Sequence, residues 1–138
     1  MSKVAVIGIV GNSVFLPVDK FHVGGETIEA KSVTFELGGK GFNQAVAAKR
    51  WGAEVSFLAA AGEDGAENIE IFLRSEGVNA AIVRKREATA FAAIITDSTG
   101  EFSVTPSEKR KFSTASLEKE TQRRFHIEPT SAEYEILQ

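Results

Sequence analysis

Gly38-Gly39-Lys40-Gly41-Phe42-Asn43-Gln44-Ala45-Val46-Ala47-Ala48-Lys49-Arg50-Trp51-Gly52 is the stretch on which the fold turns. Three glycines around one lysine force a sharp turn at 38–41. The residues after it are strong helix formers and predict a helix over 42–51. Lys49 and Arg50 fall in its last turn, and Gly52 is placed to end it. Before the turn, Val33, Phe35 and Leu37 alternate with Ser32, Thr34 and Glu36. That pattern predicts a strand within 27–37 with one wet face. A strand, a glycine turn and a helix start can cradle a ligand, because glycine admits close backbone approach and the first helical turn has spare N–H groups. Lys40 adds a charge, and Asn43 offers one acceptor and two donors. The same residues equally suit a tight turn in which Asn43 only caps backbone. Residue types alone leave both readings open.

Outward from this segment, Val4–Val10 reads as a strand covered on both faces. Gly11-Asn12 interrupts it, and Ser13–Val18 is expected to be extended. Further strands are expected at about 55–61, 78–84, 90–96 and 101–105. A second helix is expected over 66–76, with Ile69, Phe72 and Leu73 on one face and Gly77 ending it. Strands alternating with helices predict an α/β fold with a parallel sheet. The pieces at 13–37 and 88–105 read as antiparallel additions. From Pro106 the texture changes: apolar residues thin out and charges crowd in. Residues 106–138 form an atypical charged tail, with a possible helix between Ser116 and Phe125.

The chain has 138 residues, 43% of them hydrophobic, which suffices for one domain with a core. A net charge of −3 argues against a domain built to grip nucleic acid phosphates. Arg84-Lys85-Arg86 and Lys109-Arg110-Lys111 are flanked by Glu87 and Glu108 and read as solvated surface. Without cysteine there is no thiolate chemistry and no disulfide, which fits a reducing, cytoplasmic setting. His22 and His126 are too few for a histidine metal site, and no metal-ligating residues are assigned. His22 reads as a packed or solvent-facing histidine, and Trp51 as core at a helix end. No stretch approaches the length of a membrane helix. The glycine turn lacks the spacing of a P-loop, and Gly8-Ile9-Val10-Gly11 lacks that of a dinucleotide fingerprint.

Gly38-Gly39-Lys40-Gly41-x-Asn43-x-Ala45-x-Ala47-Ala48-x-x-x-Gly52-Ala53 strongly resembles the first signature of the ribokinase/PfkB carbohydrate kinase family. The N-terminal Val-Ile-Gly strand, Gly25-Glu26-Thr27, Gly62-Glu63-Asp64-x-x-x-Asn68, Thr89 and Gly100-Glu101 agree with it. The resemblance spans about residues 3–105. It implies a ribokinase-like fold: a partial Rossmann-type parallel sheet from 1–12 and 38–87, with a small β-sheet lid from 13–37 and 88–105. It also implies ATP and Mg2+ as cofactors, and a sugar or sugar phosphate as partner. Gly39, Lys40 and Asn43 match sugar-contacting positions, with Gly38, Asn12 and Ser13 as further candidates for the same site.

Two departures qualify this. Family members often carry Asn-x-Asp after the first strand, whose Asp holds sugar hydroxyls; here those positions fall on Gly11 and Ser13. Asn12 is shifted by one residue, which in a strand points it to the other face. The family's catalytic Asp lies in a Gly-x-Gly-Asp motif in its second half. The three aspartates here are Asp19, Asp64 and Asp97, and none follows Gly-x-Gly. Asp64 reads as a turn residue and N-cap of the second helix. No catalytic residue is assigned. The expectation is the N-terminal part of a sugar kinase, inactive alone. The alternatives are a non-catalytic module for sugar binding or self-association, and, last, a nucleotide-binding regulator; the exposed edge and face of half a sheet lead us to expect a homo-oligomer through the lid sheet, or poor solubility.

Overall fold

A computed structural model describes residues 1–107, 119, 123 and 135–137. The chain runs β1 (Lys3–Ile7), β2 (Gly11–Pro17), β3 (Thr34–Gly38), α1 (Lys40–Arg50), β4 (Glu54–Gly62), α2 (Ala66–Ser75), β5 (Asn79–Lys85), β6 (Ala90–Thr96), β7 (Phe102–Pro106) and β8 (Glu135–Leu137). Two four-stranded sheets result, ordered β5-β4-β1-β8 and β3-β2-β6-β7. This is the expected α/β fold with a small second sheet.

The first sheet is parallel throughout. Its central strand β4 is buried on both faces, which explains its unbroken apolar run. Val55, Phe57, Ala59 and Ala61 face α1 and α2 and share one core with Phe42, Ala45, Ile69 and Leu73. On α2, Ile69 and Leu73 are fully buried, while Phe72 sits at the margin with its ring 5.5 Å from that of Phe42. The tail contributes β8, which pairs with β1 in register Val4–Glu135 to Val6–Leu137. A three-residue strand carries no readable periodicity, and the sequence reading placed none there. Lys119 and Arg123 are helical; the rest of the expected helix at 116–125, and His126, lie outside the described residues.

The second sheet is mixed. β2–β3 and β6–β7 are antiparallel, as expected, but the central pair β2–β6 is parallel, with Gly11 opposite Ala90 and Pro17 opposite Thr96. Each of these strands leaves the same end of a parallel core strand, β2 after β1 and β6 after β5, so they run the same way. Gly11 and Asn12 do not interrupt the chain; they open β2, pairing with Gly38 and Leu37. β3 is shorter than expected. It leaves Phe35 73% exposed, and Val33, just ahead of the strand, 57% exposed. Among the described residues, no helix is long and apolar enough to cross a membrane.

Candidate functional site

The glycine turn is bound first of all to its own chain. Gly39 has φ 109°, and a Cβ there would lie 2.4 Å from the Ile9 carbonyl oxygen. A Cβ on Gly41 would lie 2.7 Å from the Gly8 Cα, and one on Gly8 would lie 2.8 Å from the Gly41 Cα. Helix α1 therefore begins in backbone contact with the β1–β2 loop, a contact only glycine permits at these positions. The Phe42 N–H donates to the Ile9 carbonyl at 3.2 Å, fixing the junction. Gly39 is the N-cap residue; no side chain caps α1, and its first turn holds no acidic residue.

Against this junction lies a cavity of about 300 Å3. One wall is the start of α1 and the turn before it: Gly38, Gly39, Lys40 and Ile9. The other is the face of the small sheet on which Ser13, Ala92 and Pro106 stand in adjacent register. Phe91, Val104 and Ser107 also line it. Ser107 closes the β6–β7 end, where the Phe91 N–H donates to its hydroxyl at 2.8 Å. Ser13 is buried, and its Oγ lies 2.9 Å from where a Gly38 Cβ would be, so Gly38 leaves room for that hydroxyl.

Five of the six candidate residues, Asn12, Ser13, Gly38, Gly39 and Lys40, line this cavity. Asn43 does not. One helical turn beyond Gly39, it is exposed and lines a second cleft of about 700 Å3 with Phe35, Phe42, Arg50 and Trp51. Sequence reasoning missed the wall from β6 and β7, since parallel pairing of β2 with β6 leaves no local signal. Asp64 lies in the turn as expected but does not cap the helix. Gly65, not Asp64, is the N-cap of α2, and no side chain caps that helix. Asp64 reaches Thr89 instead, at the entry to β6. Trp51 is 91% exposed and is no part of the core, because it lies one residue past α1. His22 is exposed, as expected.

The pfkB family of carbohydrate kinases matches residues 1–128, and the chain belongs to that family. It is 36% identical over 111 residues to a ribokinase of Schizosaccharomyces pombe, covering 73% of this chain and 35% of the relative. It is 31% identical over 102 residues to a ribokinase of Haemophilus influenzae, covering 72% of this chain and 33% of the relative. The crystal structure of a Cryptococcus neoformans ribokinase in complex with ADP superposes with a TM-score of 0.69 at 35% identity, over 78% of this chain and 35% of that one. The chain thus spans about one third of the length of each of these relatives.

The family's nucleotide and metal can be tested against the groups present. The cavity lining offers one cation, Lys40, and no carboxylate. Among the described residues, no group of three His, Cys, Asp or Glu is placed to hold a metal ion. A magnesium–triphosphate site needs oxygen ligands and several cationic or N–H donors together. The cavity lining does not bring these together, and no phosphoryl-transfer step is assigned to its residues.

Proposed function

We propose that this chain supplies the acceptor-binding part of a carbohydrate kinase and does not transfer phosphate by itself. The observation that carries the reading is the convergence of Asn12, Ser13, Gly38, Gly39 and Lys40 on one cavity between the glycine turn and the small sheet. Small polar groups against an apolar wall suit a sugar, whose C–H faces pack while its hydroxyls bond. The small sheet acts as the lid, and residues 1–12 with 38–87 as the core. In the complete kinase, ATP with Mg2+ would meet the sugar from groups outside this chain. Asp64 is no substitute base at this site, since it does not line the cavity and its Oδ1 serves Thr89. The test is ATP-dependent phosphorylation of ribose by the purified 138-residue chain. No turnover is expected, and stoichiometric product would overturn the reading.

A second reading is self-association through the lid. It is favoured by Phe35 and Phe102, on the two outer strands, which are 73% and 70% exposed. Sedimentation of the chain across a concentration series decides it: a dimer supports this reading, and a monomer at high concentration removes it.

A further inference from the structure

We propose that the open edge of β3, with the aromatic cleft beside it, docks an extended peptide strand that carries a cationic residue between two apolar ones. β3 is an end strand of the second sheet and pairs on one side only, with β2. Along such an edge, alternate residues turn N–H and C=O outward, and no strand or loop among the described residues takes them. The guards that keep sheet edges from pairing are missing, since β3 holds neither lysine nor proline. The β5 edge of the first sheet, by contrast, carries Arg84 and Lys85.

Phe35 and Leu37 share one face of β3 and border the cleft of about 700 Å3. Its other walls are the outer flank of α1, the ring of Phe72 from α2, and Trp51 just past the end of α1. Phe35 and Trp51 are exposed, so their rings still have area to bury. Aromatic and arginine side chains carry much of the binding energy at interfaces. Arg50, on the same flank, is held by both carboxylate oxygens of Glu76 and needs no ligand to neutralise it.

Charge selects the occupant. Glu36 lies between Phe35 and Leu37 and forms no ion pair among the described residues. With Arg50 matched to Glu76, it is the one unmatched charge in the lining. A strand added at this edge sets one residue opposite Glu36 and turns its two neighbours to the face of Phe35 and Leu37. A lysine or arginine there meets the carboxylate, and apolar neighbours enter the cleft. One short segment thus satisfies the backbone edge, the rings and the charge together. A second copy of the chain fits less well. Two β3 strands paired about a two-fold axis at Glu36 set like charges opposite one another.

Fluorescence titration of the 138-residue chain tests this with the peptide acetyl-Ser-Thr-Val-Lys-Val-Thr-Ser-amide. Two controls accompany it: the analogue with glutamate in place of lysine, and the lysine peptide N-methylated along Val-Lys-Val. Trp51 is the one tryptophan and reports on the cleft. The lysine peptide should shift its emission to the blue and protect it from acrylamide. It should bind about fivefold more tightly than the glutamate peptide, as opposite against like cross-strand charges imply. N-methylation should abolish binding, because it removes the donors that an added strand uses. Glu36→Lys should invert the preference between the two charged peptides. Equal affinity for those peptides, or a preference unchanged in Glu36→Lys, overturns the charge pairing and with it the proposal. Binding that survives N-methylation overturns strand addition, and binding that leaves Trp51 unchanged overturns the cleft as the site. No binding of any peptide sinks the proposal outright and leaves the sugar cavity untouched.

Discussion

Asp64 Oδ1 accepts two hydrogen bonds from Thr89, from its backbone N–H at 2.9 Å and from its hydroxyl at 2.7 Å. The Thr89 hydroxyl in turn accepts from the Gly62 N–H at 3.1 Å. Asp64 lies in the β4–α2 turn of the core, and Thr89 is the residue before β6. One carboxylate oxygen thus ties the second sheet to the first. Gly62 and Gly65 make room for it, since a Cβ on either would come within 2.6 Å of Thr89 atoms.

Thr89→Val keeps the shape and removes the hydroxyl, leaving the buried Gly62 N–H without its partner. It should cost about 1–3 kcal/mol in denaturant unfolding. Amide exchange should also quicken along β6 more than along β4, because the anchor serves the small sheet. Equal acceleration in both strands would mean that the contact stabilises the whole fold without anchoring the small sheet.

Gly39 and Gly52 both have positive φ, at 109° and 92°, but only the first is crowded. Gly52→Ala meets nothing within 4 Å and should cost about 1–2 kcal/mol, the conformational term alone. Gly39→Ala adds a clash with the Ile9 carbonyl and should cost clearly more. Paired thermal melts compare them, and equal losses would refute the account of the turn as a backbone contact.

Arg50 donates to both carboxylate oxygens of Glu76 at 2.9 Å, joining the last turn of α1 to the end of α2. The guanidinium hydrogen bond holds the Glu76 carboxyl below its ordinary range. Asp97 is likewise held low, first by the Thr99 hydroxyl. Folded values below the unfolded ones mean that this stability is fully present above the unfolded values and is lost as pH falls through the folded ones. Unfolding midpoints should therefore drop as the pH falls below about 4.5. Glu76→Gln should flatten that acid limb, and an unchanged limb would rule out the Arg50–Glu76 pair as a contributor.

Trp51 is the one tryptophan and is almost fully exposed beside the Phe35–Phe42 cleft. Its fluorescence should resemble that of tryptophan in water and be quenched freely by acrylamide. Trp51→Ala should shift stability by no more than about 0.5 kcal/mol, as for an ordinary surface change. A blue-shifted, protected signal would show the cleft covered in solution.

Most elements were legible because their periodicity is local. The expected strand at 90–96 coincides with β6, and Ile69 and Leu73 announced the buried face of α2. The expected helix at 42–51 begins two residues early, at Lys40, because backbone packing on Gly8 and Ile9 lets the glycine turn itself coil. What could not be read were relations between distant segments: β2 against β6, β8 against β1, Asp64 against Thr89. The site shows the same division. The turn named four of its residues, and the structure turns one of them, Asn43, toward the other cleft.

The parallel pairing of β2 with β6 has a consequence for biosynthesis. β2 leaves the ribosome early, yet its central partner emerges only after α1, β4, α2 and β5 have been made. At about 5–20 residues per second, β2 waits several seconds with that edge unsatisfied. The hairpin-like contact with β3 is available sooner but leaves the β6 side open. The small sheet thus closes only after three strands of the first sheet have been made, and the nascent chain is most exposed to wrong pairing during that interval.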